Sequence, residues 1–192
     1  MEEEIRKAIE VLRRGGTLLY PTDTIWGVGC DATNETAVEK ILQLKKRNNP
    51  DHEMPKSFIV LVSDIGMLNR FIKEVPAAAW NLIEVSDSPL TIIYEGARGI
   101  AKNVLATNGS LGVRIVKDLF CERLIHKFGK PIVSTSANLS GQAAPQHFYD
   151  IADEIKQGVE YVVNWRQDDT TPQKASSIIK IKTNGEFQII RK

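Results

Sequence analysis

Four short stretches of the 192-residue sequence hold side chains able to bind or neutralise a polar ligand. In YPTDTIWGVGCDA, Tyr20 to Ala32, an apolar run gives way to Thr22, Asp23 and Thr24 ahead of a Gly-x-Gly. Hydroxyls at the end of a strand, beside glycines that admit a ligand to the backbone, suit a small polar substrate. The same residues also serve ordinary turns and local caps. In LKKRNNPDHEMPKS, Lys45, Lys46 and Arg47 sit at a helix C-terminus, where the macrodipole favours cations by about 0.3 to 1 kcal/mol without any ligand. Lys56 follows a long polar loop and precedes an apolar strand, so it could close back on Arg47 around a polyphosphate, a point charge opposite a bidentate fork. In SLGVRIV, Arg114 interrupts an apolar strand; it either lies on an exposed face or meets a carboxylate, the protein's own or a substrate's. Ser110 stands just ahead of that strand. In STSANLSG, residues Ser134, Thr135, Ser136 and Asn138 either cap their surroundings or, with their backbone amides and Gly141, form an uncharged anion nest.

Other chemistries have weaker support. No Walker loop and no Gly-x-Ser-x-Gly elbow is present. Gly27 to Ala32 satisfies the Gly-x-Gly-x-x-Ala form of a dinucleotide fingerprint, with Asp64 as its ribose acid, but six residues separate Tyr20 from Gly27 and Asp64 lies about 35 residues past Gly29 instead of roughly 20. His52, His126 and His147 show no ligand spacing. Cys30 and Cys121 form neither a Cys-x-x-Cys nor a disulfide framework.

The elements that must position these residues follow from periodicity. Ile5, Ala8, Ile9 and Leu12 form one face of a helix ended by Gly15-Gly16. TLLY, SFIVLV, LTIIY, LGVRIV, PIVST, YVVN, SSIIKI and FQII read as strands, the last two joined at Asn184-Gly185. SFIVLV has the continuous apolar run of a strand covered on both faces. Helices are expected from a cap at Thr33 or Asn34 to Arg47, near 64–72, 76–85 and 148–157, and over the stripe Leu119, Leu124, Ile125 and Phe128 up to Gly129. Strands alternating with helices and closing on a hairpin predict an α/β or α+β open sheet of mixed strand direction. A composition of 42% apolar and 26% charged residues, with no break or repeat, predicts a single domain over residues 1–192. No apolar run or leader of membrane or secretory type is seen, so the expected location is cytoplasmic. A net charge of +1 gives no global nucleic-acid signature, and any anion site must be local.

Taken in order, PTDTIWGVG, the Lys-x-Arg at Lys45 and Arg47 followed by Lys56, GVRI, and STSANLSG resemble the YrdC-like family of threonylcarbamoyl-AMP synthases in its short single-domain form. The resemblance extends from GGTLLYPTDT to the final IIRK. It implies a YrdC-like fold, an open twisted mixed sheet flanked by helices, and a reaction of L-threonine, bicarbonate and ATP that begins threonylcarbamoyladenosine formation in tRNA. Carried over by position, Thr24, Arg114, Ser134 and Ser176 would hold threonine. Arg47, Lys56, Ser110, Ser136, Asn138, Ala144 and Arg191 would hold ATP, with Lys45, Arg47 and Lys56 at the reacting phosphate. Magnesium would accompany the ATP, and partners would be downstream tRNA-modification proteins and tRNA. The chain departs from the family in Lys56-Ser57-Phe58 for Lys-Pro-Leu, Val116 for a proline, Ser86-Asp87-Ser88 for Trp-Pro-Gly, Trp26 for a tyrosine and Ala144 for a serine. The alternative reading is an RNA-binding module, for tRNA or double-stranded RNA, without turnover.

Overall fold

The computed structural model describes residues 1–45, 58–172 and 174–192. Arg47 and Lys56, with Lys46, lie outside the described residues. Helix α1 (Glu2–Arg13) buries Ile5, Ala8, Ile9 and Leu12, carries Glu2, Glu3 and Glu4 in its first turn and Arg13 in its last, and so agrees with its own dipole. The chain then enters β1 (Leu18–Tyr20) and β2 (Gly27–Gly29). Asn34 caps α2 (Glu35–Leu44) by accepting from Ala37 N, and β3 (Ile59–Val62) leads to α3 (Ile65–Phe71), capped by Asp64 through Met67 N. Next come α4 (Ala77–Val85), β4 (Leu90–Tyr94), a 3₁₀ turn at Lys102–Val104 and β5 (Leu111–Ile115). Helix α5 (Leu119–Phe128) is capped by Asp118 and stops at Gly129, which adopts φ +80°, a left-handed end that glycine takes at no steric cost. Strand β6 (Ile132–Ser136), a 3₁₀ turn at Phe148–Asp150, α6 (Asp153–Gly158), β7 (Tyr161–Val162), β8 (Ser177–Ile181) and β9 (Phe187–Arg191) complete the order.

The strands form one sheet in the order β7-β1-β2-β6-β3-β5-β4-β8-β9. β1 with β7, β3 with β5 and β4 with β8 are parallel, and the other neighbours are antiparallel. The open mixed sheet expected from the sequence is therefore present. Alternation within each strand sorts side chains between two faces. In β5, Leu111 and Val113 join the buried apolar core, while Gly112 and Arg114 face the other way and line a cavity.

Two expectations need correction. Gly27-Val28-Gly29 is a strand between β1 and β6, not a turn. A Cβ on Gly29 would lie 2.2 Å from Val133 O and 2.7 Å from Tyr20 Cε1, so only glycine lets this strand approach its neighbours so closely. The dinucleotide reading fails with it, because that fingerprint needs its glycines at a strand-to-helix turn, and Asp64 is engaged as the α3 cap. The helix expected near 148–157 is divided, since Asp150 accepts from His147 N at 3.0 Å and closes its own turn. Ile151 and Ala152 are then extended, with ψ 126° and 143°, before α6 begins.

Candidate active site

A cavity of about 480 Å³ lies over the sheet face that the apolar core leaves uncovered, within the range of small-molecule sites. Alternate residues of several strands form its floor: Gly27 from β2, Ser134 and Ser136 from β6, Ile59 from β3, Gly112 and Arg114 from β5, Thr91 and Ile93 from β4. Thr24, Ile25 and Trp26 close one side. Ala175, Ser176, Ile178, Ile190 and Arg191 close the other.

Arg114 meets a carboxylate of the protein itself. Its Nη2 lies 2.9 Å from Asp23 Oδ1, with both side chains almost fully buried, at 3% and 6% exposure. The pair is not aligned as an N–H···O bond, and Asp23 Oδ1 and the enclosed Arg114 Nε have no hydrogen-bond partner. Two buried charges held by attraction without full hydrogen bonding are costly to the fold. Asp23 is oriented through its second oxygen, which accepts from Lys117 N at 3.2 Å. The Pro21–Ile25 loop that carries it is folded on itself: Thr22 Oγ1 donates to Ile25 O at 2.8 Å, accepts from Thr24 N at 3.0 Å and lies 2.9 Å from Thr24 Oγ1. Arg166 ties the loop to α5, with Nη2 donating to Thr22 O at 2.7 Å and Nη1 paired to Asp118 at 2.9 Å.

Across the cavity Arg191 Nε donates to Ser176 O at 2.8 Å, its Nη2 reaches Ser176 Oγ at 3.4 Å, and Ser176 Oγ lies 2.8 Å from Thr91 Oγ1. Burial, followed by the nearby Arg114 charge, pushes the Arg191 guanidinium below its ordinary pKa. Two guanidiniums thus share one cavity whose only carboxylate among the described lining residues' ion pairs is Asp23. Such a cavity favours an anionic ligand.

The structure brings Thr24, Arg114, Ser134, Ser136, Ser176 and Arg191 to this cavity and leaves four other described candidates outside its lining. Lys45 is 1% exposed, and its Nζ donates to Ser136 O at 2.5 Å and Asn138 Oδ1 at 3.5 Å. Asn138 Nδ2 donates to Leu139 O and Gln142 O, so both residues hold the shape of the loop after β6. Ser110 Oγ donates to Asn108 Oδ1 at 2.7 Å, and Ala144 is half-buried outside the lining. Lys40 is exposed and pairs with Glu160 at 2.6 Å, whereas Lys45 is buried. Thr91 and Gly112 escaped the reading of site residues, and Asp23 was read without its role as the partner of Arg114. Asp23 was signalled by a lone arginine in an apolar strand, and Thr91 by a polar residue within LTIIY.

Over residues 10–192 the sequence matches the Sua5/YciO/YrdC family, described as telomere recombination. The threonylcarbamoyl-AMP synthase of Hahella chejuensis is 32% identical over 158 residues, 82% of this chain and 83% of the relative. Among solved structures, P. abyssi Sua5 complexed with L-threonine superposes with a TM-score of 0.79 at 24% identity, covering 94% of this chain and 52% of that one. This chain thus spans about half the length of that protein. E. coli YciO superposes with a TM-score of 0.83 at 22% identity, covering 100% of this chain and 90% of the other. At these identities the two structures establish a shared fold.

Proposed function

Because the chain belongs to the Sua5/YciO/YrdC family, we propose that it is a threonylcarbamoyl-AMP synthase, joining L-threonine, bicarbonate and ATP into threonylcarbamoyl-AMP and pyrophosphate. The relatives' name favours this over an RNA-binding module. The observation that carries it is the cationic cavity lined by Arg191 and by Arg114, the latter held by Asp23. A free amino acid's carboxylate would pair with the Arg114 guanidinium. Thr24, Ser134 and Ser176 would then take the hydroxyl and amine, beside the apolar wall of Trp26 and Ile178.

In the reaction the threonine nitrogen attacks bicarbonate carbon and water is lost, giving a carbamate. A carbamate oxygen then attacks the α-phosphorus of ATP, and the bond to the bridging oxygen of pyrophosphate breaks. No covalent enzyme intermediate is required; the chain must align two anions and offset their charge. We assign Arg191 and Ser136 to the nucleotide from within the cavity, with Ser110, Asn138 and Ala144 at its margin. Arg47 and Lys56 would approach the phosphates, and Lys45 would act through the loop it holds. Among the described residues no group of His, Cys, Asp and Glu fits a resident metal ion, and magnesium is assigned to the ATP as part of the substrate, where it offsets phosphate charge. The product would pass to tRNA-modification proteins in the cytoplasm. Among the described residues no helix is long and apolar enough to cross a membrane.

Pyrophosphate release measured with and without each substrate tests the proposal. Release is expected only when ATP, bicarbonate and threonine are all present, and threonine-independent release would overturn it. Arg47→Ala and Lys56→Ala should each raise the KM for ATP more than that for threonine.

A further inference from the structure

Twelve of the thirteen glycines either take a positive φ or would bring an added Cβ within 3.1 Å of a neighbouring atom. Gly112 has neither. Its backbone is not left-handed, and a Cβ there would meet only Thr91 Cγ2 at 3.5 Å, Phe58 O at 3.8 Å and Ile93 Cγ1 at 3.9 Å. These are ordinary contacts. Yet Gly112 sits in a central strand, where glycine costs conformational entropy relative to alanine.

Strand register locates the space it leaves. Gly112 is opposite Ile59 on β3 and Ile93 on β4, and Ile59 is opposite Ser134 on β6. Arg114, opposite Leu61, is two residues along the same face, about 7 Å away. Two residues in the other direction is Ser110, while on β6 Ser136 follows Ser134 by the same step. Gly112 therefore lies in the middle row of the cavity floor, between the row that holds Arg114 and the row that holds Ser136.

We infer that the bare Cα of Gly112 keeps open the junction where the carbamate oxygen meets the α-phosphorus, so that Gly112 positions the two bound substrates for in-line attack. The inference rests on the synthase reading and deepens it. A methyl group on this floor would not unfold the strand. It would hold the substrates apart, and a displacement near 1 Å can cost about 100-fold in rate.

The test is Gly112→Ala beside the wild type. A thermal midpoint equal to or above that of the wild type, separate affinities for threonine and for ATP within about threefold, and a kcat for pyrophosphate release reduced by about 100-fold are expected together. A lowered thermal midpoint would show that the fold itself needs the glycine, and weakened binding of one substrate would place the space inside that substrate's own site; either overturns the inference. Wild-type kcat in the variant, next to an active wild type, would overturn it while leaving the synthase reading intact. An inactive wild type would remove that reading, and this inference with it.

Discussion

The two faces of the sheet are built from the same strands and have opposite compositions. On one face Val60, Ile92, Val113 and Val133 stand in register across four strands and are buried among the helices. On the other, Ser134, Ile59, Gly112 and Ile93 form the adjacent row, with Arg114 and Thr91 beside them at the cavity. The first face excludes water and supplies burial free energy. The second leaves room, keeps hydroxyls and guanidiniums, and gives up packing to do so. Neighbouring residues of one strand thus carry stability and chemistry separately, and substitutions on the two faces should separate the two properties.

The largest effect is expected where both properties meet. Arg114→Ala would leave Asp23 buried without its counter-charge, lowering stability by about 3–5 kcal/mol. It should also raise the KM for threonine by roughly one to two decades, from loss of a charge-assisted bond, with a smaller change for ATP. Combining Arg114→Met with Asp23→Leu should regain much of the stability and none of the threonine affinity, as denaturant titration and kinetics would show. Next, Ile92→Ala on the packed face should cost about 2–5 kcal/mol while leaving both KM values unchanged. Altered KM values would mean that the faces are coupled.

A smaller effect is expected at Glu4 on α1, which accepts from Tyr161 Oη and Asn164 N, each at 2.7 Å. Burial raises its pKa, but these bonds and Lys7 outweigh burial and hold it below the ordinary value. The same contact, after burial itself, pushes Tyr161 up to about 12. A depressed carboxylate stabilises the fold fully above its unfolded pKa of about 4.3, and that stability is lost as pH falls through the lower folded value. Glu4→Gln should therefore lower stability by about 1 kcal/mol at neutral pH and flatten the acid limb of the stability profile, without touching the kinetics. The smallest effect belongs to Ser176→Ala, which removes the hydroxyl beside Thr91 and Arg191 but keeps the Ser176 carbonyl that Arg191 Nε uses. A threefold to tenfold rise in the threonine KM is expected, equivalent to about 0.5–1.5 kcal/mol.

Much of the architecture was legible because hydrophobic period is a local signal. Ile5, Ala8, Ile9 and Leu12 announce α1, and LTIIY and LGVRI announce central strands of the sheet. Gly27–Gly29 was not legible as β2, because glycines have little strand preference and their extended state is imposed by β1 and β6. The end of α2 was legible as basic, but the dipole argument said nothing of Lys45 reaching Ser136 across the fold. Of the candidate site, Arg114 stood out because an arginine in an apolar strand demands a partner, whereas Thr22, Asp23 and Thr24 suited a small polar substrate and an ordinary turn alike, and their types alone did not separate the two.

By itself the sequence determined most of the strands and helices, which face of each is apolar, and which polar residues those patterns leave unexplained; these depend on neighbours within a few positions. Only the tertiary structure decided that Asp23 answers Arg114, that Arg191 returns from the last strand to the same cavity, and that Gly112 alone among the glycines has neither a positive φ nor a neighbour within 3.1 Å of an added Cβ. Those facts rest on residues far apart in the chain, brought together by a sheet order that no local pattern encodes.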